Sequence, residues 1–337
     1  MKNFKKASFI LSILSFLTLF TSANAVIKVV TSIKPIHSLA SYLMDGVNKP
    51  DLIVDGYSSP HGFALKPSHA KMLQEADLIF WVGEGLENFL IKPLNSIAKK
   101  AEKIELMEIK GLKKLKFREK NIFDGHDDHG HEEEGHDEHK HEEDEHKHEE
   151  DEHKHEEEGH DEHGHEGHAH GEYDPHIWLD PINAKIILTE MVEHLIENDE
   201  KNSSVYKSNL GKALKDIDKL IKDVKAELNK DISFIVFHDA YQYFENRFNV
   251  SVLGAFTVNT DVMPGAEQLS EIREIIEHDK VSCIFSEPQF NPDIINADAK
   301  DLDIKTGVLD PLGATLDPGK GLYFKLIKNM SKSFKGC

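Results

Sequence analysis

Short apolar runs alternate with stretches of helical periodicity along most of the chain. The first part predicts strands at residues 28–31 and 78–82, with a helix after the first strand and a helix beginning near Ser68 before the second. A second series follows in the last third, with strands at 232–237, 251–256 and 281–285 and a helix at 266–277. Strands that alternate with helices are typical of α/β folds with parallel sheets.

Two further helices lie between these series. Asp180 directly precedes Pro181, which is typical of an N-cap followed by the first helical position, and apolar residues then repeat at helical spacing as far as Leu195. A second pattern over residues 210–228 predicts a longer helix, since apolar residues keep the helical period over the whole range. We therefore predict two α/β lobes with parallel-rich sheets joined by a long helix. The boundaries are 26–202 for the N-terminal lobe, 203–230 for the joining helix and 231–337 for the C-terminal lobe.

The first lobe is interrupted by a tract of extreme composition. Residues 126–170 contain 15 of the 22 histidines of the chain, together with 21 carboxylates and no large apolar side chain. Such a segment cannot bury enough surface to offset the entropy of ordering, so we predict that the insertion at 124–172 is disordered. Imidazoles and carboxylates bind zinc, copper and nickel, but equivalent donors on an unstructured segment bind several ions weakly. A selective site must therefore lie elsewhere.

The N-terminus has the pattern of a secretory signal peptide. Three lysines, an apolar run and the small-residue sequence Ala23-Asn24-Ala25 follow one another, so we predict export with cleavage after Ala25. The apolar run is shorter than the about 20 residues that a membrane-spanning helix needs. The mature protein is therefore expected to be soluble.

The charge of the chain is concentrated in the tract. The net charge is −21, and the tract contributes −18 of it, so the remaining residues carry only −3. No basic surface is left to bind phosphates, which argues against nucleic acid as a partner.

The two cysteines, Cys283 and Cys337, are expected to form a disulfide in an oxidising compartment. This bond would join the end of the chain to a predicted strand about fifty residues earlier. The alternative is a buried free thiol and an incidental terminal one.

Four short segments place a metal-binding side chain beside turn-forming residues. They are Ser59-Pro60-His61-Gly62, Asp174-Pro175-His176-Ile177-Trp178-Leu179-Asp180, Phe237-His238-Asp239-Ala240-Tyr241 and Leu309-Asp310-Pro311-Leu312-Gly313. His238 ends a predicted strand, and ligands of open α/β sheets bind at the carboxyl ends of strands. Trp178, Tyr241 and Phe290 are expected to form walls of the site.

His69, His194 and His278 lie among charged neighbours on predicted helices and are interpreted as surface residues, and His37 is left out of the site.

These segments, with Ser286-Glu287-Pro288-Gln289-Phe290, resemble the signature segments of the metal-binding solute receptors of bacterial ABC importers. The resemblance is to zinc receptors of the ZnuA type and runs from about residue 26 to 337, interrupted only by the tract. It implies two lobes bridged by a rigid helix, with the ion in the cleft between them. It also implies a periplasmic location and a membrane permease as partner.

Carried over residue by residue, the resemblance implies that His61, His176, His238 and Asp310 bind the metal. Manganese receptors of this family usually have a glutamate where this chain has His238. Three imidazoles and one carboxylate suit tetrahedral Zn²⁺ better than a hard cation that prefers oxygen. Glu287 is the candidate for a reserve carboxylate or for one that orients a bound imidazole.

The sequence therefore favours a monomeric, high-affinity zinc receptor, not an enzyme, that delivers Zn²⁺ to a permease while the tract binds additional Zn²⁺ weakly. Three alternatives remain open. One is a manganese or iron receptor of the same fold. Another is a secreted zinc hydrolase, although no His-Glu-x-x-His helix is present. The third is a buffering or adhesive surface protein in which the tract is the whole function.

Overall fold

The computed structural model describes residues 26–118, 120, 172–228, 233–258, 260, 264–278, 281–293, 295, 300 and 303–337. The predicted signal peptide, residues 1–25, and the histidine-rich tract, residues 126–170, lie outside this part of the chain. Among the described residues, no helix combines the length and apolar character needed to cross a membrane.

The first half of the chain forms a four-stranded parallel sheet. Its strands are β1 (Val29–Ile33), β2 (Asp51–Val54), β3 (Leu78–Trp81) and β4 (Glu102–Glu105), in the order β2-β1-β3-β4. Helices α1 (Lys34–Leu43), α2 (Pro67–Glu75) and α3 (Asn88–Ser96) connect them. The helix predicted near Ser68 begins at Pro67, after Lys66. Since all four strands run parallel, their carboxyl ends lie at one edge of the sheet.

The second half repeats this arrangement. Its strands are β5 (Ser233–His238), β6 (Ser251–Thr257), β7 (Cys283–Ser286) and β8 (Lys305–Val308), all parallel, in the order β6-β5-β7-β8. Helices α6 (Gln242–Phe248) and α7 (Ala266–His278) lie between strands, and α8 (Leu322–Gly336) ends the chain. The predicted α/β class with parallel-rich sheets is confirmed.

Two long helices lie between the two sheets in the order of the chain, α4 (Pro181–Asn198) and α5 (Ser203–Glu227). The predicted N-cap of α4 is confirmed, because the Ile182 amide donates a hydrogen bond of 2.8 Å to Asp180 Oδ1. Helix α5 packs against α4, α1 and α8, so it contacts helices from both halves of the chain.

A shared hydrophobic core runs through both halves. Phe234 and Val236 of β5 face this core, whereas Ile235 and Phe237 face a second cluster on the other side of the sheet. The alternation follows from the two-residue period of a strand. Phe334 of α8 packs on Phe234 with ring centroids 4.8 Å apart. The last helix therefore fills the space between the second sheet and the helices of the first half.

The predicted disulfide is confirmed. Cys283 of β7 and Cys337, the last residue of the chain, are bonded with their Cα atoms 5.8 Å apart. The bond fixes the end of α8 to the centre of the second sheet.

Candidate metal centre

Three of the four predicted ligands converge between the two sheets. His61 lies in the loop after β2, His176 directly precedes the short 3-10 helix Ile177–Leu179, and His238 is the last residue of β5. One ring nitrogen from each lies within 4.8 Å of those from the other two. The ring centroids are 5.0 to 5.7 Å apart. A loop after a strand, a residue before a short helix and one strand end thus bring three imidazoles to one point.

The walls of this cavity are mainly apolar. Trp178 and Phe290 line it, as predicted, together with prolines 60 and 311 and Leu312. Tyr241, predicted as a third wall, is fully buried and reaches the site through Glu287, whose Oε1 accepts its hydroxyl hydrogen bond at 3.0 Å. Apolar walls lower the local dielectric constant, which strengthens the attraction between a bound cation and its ligands.

His176 is oriented by a buried carboxylate. Its Nδ1 lies 2.7 Å from Asp174 Oδ1, and the same oxygen accepts the His176 backbone amide at 2.9 Å. An Nδ1–H donated to Asp174 leaves the Nε2 lone pair available for the cavity. Burial lowers the pKa of His176 well below its ordinary value, and the neighbouring His238 lowers it further. His176 is therefore neutral at physiological pH, which is the form that binds a metal.

His238 has the opposite electrostatic surroundings. Burial by itself would lower its pKa, but Glu287, Asp239 and Asp174 outweigh burial and raise it. Glu287 Oε1 lies 3.5 Å from His238 Nδ1. The environment of His238 therefore favours a positive charge, and a divalent cation could supply that charge in place of a proton.

Asp310, the fourth predicted ligand, lies outside this compact group of ring nitrogens. Its Oδ1 accepts hydrogen bonds from the amides of Leu312 at 3.2 Å and Gly313 at 2.9 Å, and from Gln289 Nε2 at 3.1 Å. A carboxylate that binds the amides of its own turn is common where aspartate precedes proline. Glu287, by contrast, lines the same cavity as the three histidines.

A buried charged layer lies behind His176 and His238. Arg118 Nη1 is 2.9 Å from Asp239 Oδ1, and its Nη2 is 2.6 Å from Glu245 Oε2. Burial raises the pKa of Asp239 and of Glu245 to about 7, although Arg118 opposes this shift. Sequence reasoning missed this layer. The available signal was that Asp174 and Asp239 each stand within two residues of a candidate ligand.

The histidines that were interpreted as surface residues differ in their environments. His278 is exposed, as predicted. His194 is partly buried between Glu102 and Glu190. The surface prediction for His69 is wrong, because it is only 7% exposed and stacks on Phe63 with centroids 5.5 Å apart. Its Nδ1 accepts the Lys66 amide at the start of α2, so it has a structural role.

Comparison with known proteins places this geometry in context. Residues 29–337 match a family model described as ZnuA, the periplasmic component A of a zinc-uptake complex. The chain is 48% identical over 311 residues to the high-affinity zinc uptake system protein ZnuA of Brucella abortus (strain 2308), covering 92% of this chain and 91% of that protein. It is 34% identical over 326 residues to the protein of the same name from Yersinia pestis, covering 94% and 92%. A crystal structure of ZnuA superposes with a TM-score of 0.68 at 20% identity, covering 91% of this chain and 98% of that one, which shows a shared fold.

Proposed function

The chain belongs to the ZnuA family of zinc-uptake components, and on this premise we propose that it captures Zn²⁺ in the periplasm and delivers it to the membrane permease of an ABC importer. The observation that carries the proposal is the convergence of three imidazole nitrogens in one buried, apolar-walled cavity. It fits a receptor that removes the ion from water and releases it unchanged.

The donor set favours zinc over a harder cation. Neutral imidazoles are preferred ligands of Zn²⁺, whereas Mn²⁺ is better matched by carboxylate and water oxygens. We propose that a carboxylate closes a tetrahedral shell, with Asp310 as the ligand that the family resemblance implies. Glu287 is the alternative donor, since it already lies at the cavity wall.

The experiment that tests this function is calorimetric titration of the mature protein with Zn²⁺ and, separately, with Mn²⁺. We expect one tight zinc transition that excess Mn²⁺ does not displace. Equal affinity for both ions, or displacement by Mn²⁺, would favour the manganese receptor instead. Comparing Asp310→Ala with Glu287→Gln then identifies the fourth donor, because the larger loss of zinc affinity marks the coordinating carboxylate.

We further propose the domain division that the sequence predicts. The N-terminal lobe spans 26–202, the joining helix 203–230 and the C-terminal lobe 231–337, with cleavage of the signal peptide after Ala25. The two parallel sheets support this division, because the strands of one precede α4 and α5 in the chain and the strands of the other follow them. Intact mass measurement of the exported protein tests the cleavage site.

The histidine-rich tract has a separate role in this proposal. Its donors would bind several Zn²⁺ ions loosely and raise their concentration near the cavity, since the tether keeps them within reach. The chain positions on either side support this, because Lys116 and Tyr173 pair as a β-bridge and Asp174 contacts His176. The described residues that flank the tract therefore lie close to the metal site.

Deleting residues 126–170 is expected to reduce the number of zinc ions bound from several to one tightly held ion. The three histidines of the cavity come from outside the deleted segment, so the tight transition should keep its affinity. Zinc stoichiometry by titration and by elemental analysis after gel filtration measures this. Loss of the tight transition together with the tract would contradict the division of roles.

A further inference from the structure

Lys34 is a buried lysine in contact with both halves of the chain. It is the first residue of α1, directly after β1, and only 4% of its side chain is exposed. Burying an ammonium group is costly unless its donors are satisfied. Here Nζ donates to three carbonyl oxygens of the second half, those of Gly313 at 3.2 Å, Ala314 at 3.0 Å and Leu316 at 2.9 Å. The same Nζ lies 3.2 Å from Asp55 Oδ1 in the first half.

These partners belong to two loops that both contribute residues to the lining of the metal cavity. Asp55 directly follows β2 and begins the loop that carries His61. The three carbonyls follow Pro311 and Leu312, which line the cavity beside His61. A single ammonium group therefore links the His61 loop to the loop of residues 310–316.

The 310–316 loop is held in a defined shape by further contacts. The Trp178 indole donates a hydrogen bond of 2.8 Å to the Pro311 carbonyl, and Trp178 is itself a cavity wall. Asp310 Oδ1 accepts the amides of Leu312 and Gly313. Gly313 has a φ of +73°, in the left-handed region that glycine adopts without strain. With its own amides satisfied internally, the loop presents its carbonyls to Lys34.

We propose that Lys34 is a positioning residue for zinc retention, because it fixes the walls that the two halves contribute to the cavity relative to each other. This inference rests on the proposed function. Lys34 touches none of the three histidines through the contacts above, so it acts on the ion only through the two loops. Without Lys34, the carbonyls of the 310–316 loop lose three hydrogen bonds, and the His61 loop loses this link to the second half.

The test compares Lys34→Met with a matched control, Lys320→Met, in the full mature chain. Met retains much of the length of lysine and removes the charge. Lys320 forms another lysine–aspartate pair between the two halves, with Asp45, but both side chains are about half exposed and neither lines the cavity. The protein is loaded with one equivalent of Zn²⁺, and release into excess EDTA is followed. We expect Lys34→Met to release the slowly dissociating ion roughly tenfold faster, as for partners that orient metal ligands, and Lys320→Met to match the wild type.

Asp55→Asn provides a second variant that leaves the buried ammonium in place. Asp55 is 59% exposed, so its substitution is compatible with folding, and we expect release to be about threefold faster, as for loss of an exposed ion pair. The double variant should release zinc no faster than Lys34→Met alone, since both contacts act through one ammonium group.

Three results would overturn the inference. One is a Lys34→Met protein that unfolds at a lower temperature but releases zinc at the wild-type rate, because that would show a merely structural role. Another is equal acceleration by Lys34→Met and Lys320→Met. If Lys34→Met fails to fold, an unchanged release rate for Asp55→Asn decides against the proposal, and a faster one supports it. Failure of the proposed function looks different, because the wild type itself would then show no slow phase.

Discussion

Replacing His238 with alanine is expected to weaken tight zinc binding by at least about a hundredfold. Four-ligand zinc sites bind with roughly 10 to 16 kcal/mol, so one ligand accounts for about 3 kcal/mol, which is a factor of more than a hundred. His238 ends β5 in the interior of the fold, with 4% of its surface exposed, and water cannot easily take its place. Competition of the mature protein against a fluorescent zinc chelator measures the change in the dissociation constant of the tight component.

The matched control for this variant is His278→Ala. His278 is an exposed histidine at the end of α7 and lies outside the cavity. Its loss should leave the tight component unchanged. If His238→Ala binds zinc as tightly as the wild type, the cavity is not the receptor site, and the buffering alternative, in which the tract is the whole function, gains support. His61→Ala should behave like His238→Ala, because both side chains meet at one point.

The architecture was accessible from sequence wherever apolar runs were long and regular. Strand β5 reads as a continuous apolar run because both of its faces are buried, and Asp180-Pro181 marks the start of α4. Six strands and α-helices of the described residues were not predicted, namely strands β2, β4 and β8 and helices α3, α6 and α8. Strand β8 consists of Lys305–Val308 at a sheet edge and has little apolar content, so periodicity carries no signal there. Helix α8 does have a helical pattern, with buried residues at Leu322, Leu326, Met330 and others, so its sequence does carry the signal of a helix.

Only part of the candidate site could be predicted from the sequence, and the reason is physical. The types of residue and their places beside turns and strand ends singled out the three histidines, and the family resemblance ordered them. Which way a carboxylate turns was not accessible, because the same Asp310 side chain can face a cation or the amides of its own loop. Lys34 gave no signal, since three of its four partners lie some 280 residues away and are backbone carbonyls, which any residue type supplies.

Lowering the pH from 7.5 to 5 is expected to weaken zinc binding at the cavity by at least about thirtyfold. A ligating imidazole must be deprotonated, so protons compete with the ion once the pH falls below the pKa of the histidine. The carboxylates around His238 raise its pKa above the ordinary value of 6.5, so pH 5 lies at least about 1.5 units below it, and competition costs about tenfold per unit.

His176 contributes little to this change, because burial keeps its pKa low and it stays neutral over the same range. The fall should therefore begin near neutral pH and have a slope close to one proton per ion where His238 alone titrates. Chelator competition at half-unit steps of pH, corrected for protonation of the chelator, gives the profile. In Glu287→Gln the carboxylate that holds the proton on His238 is removed, so the onset should move to lower pH. An affinity that stays constant between pH 7.5 and 5 would contradict coordination by three imidazoles.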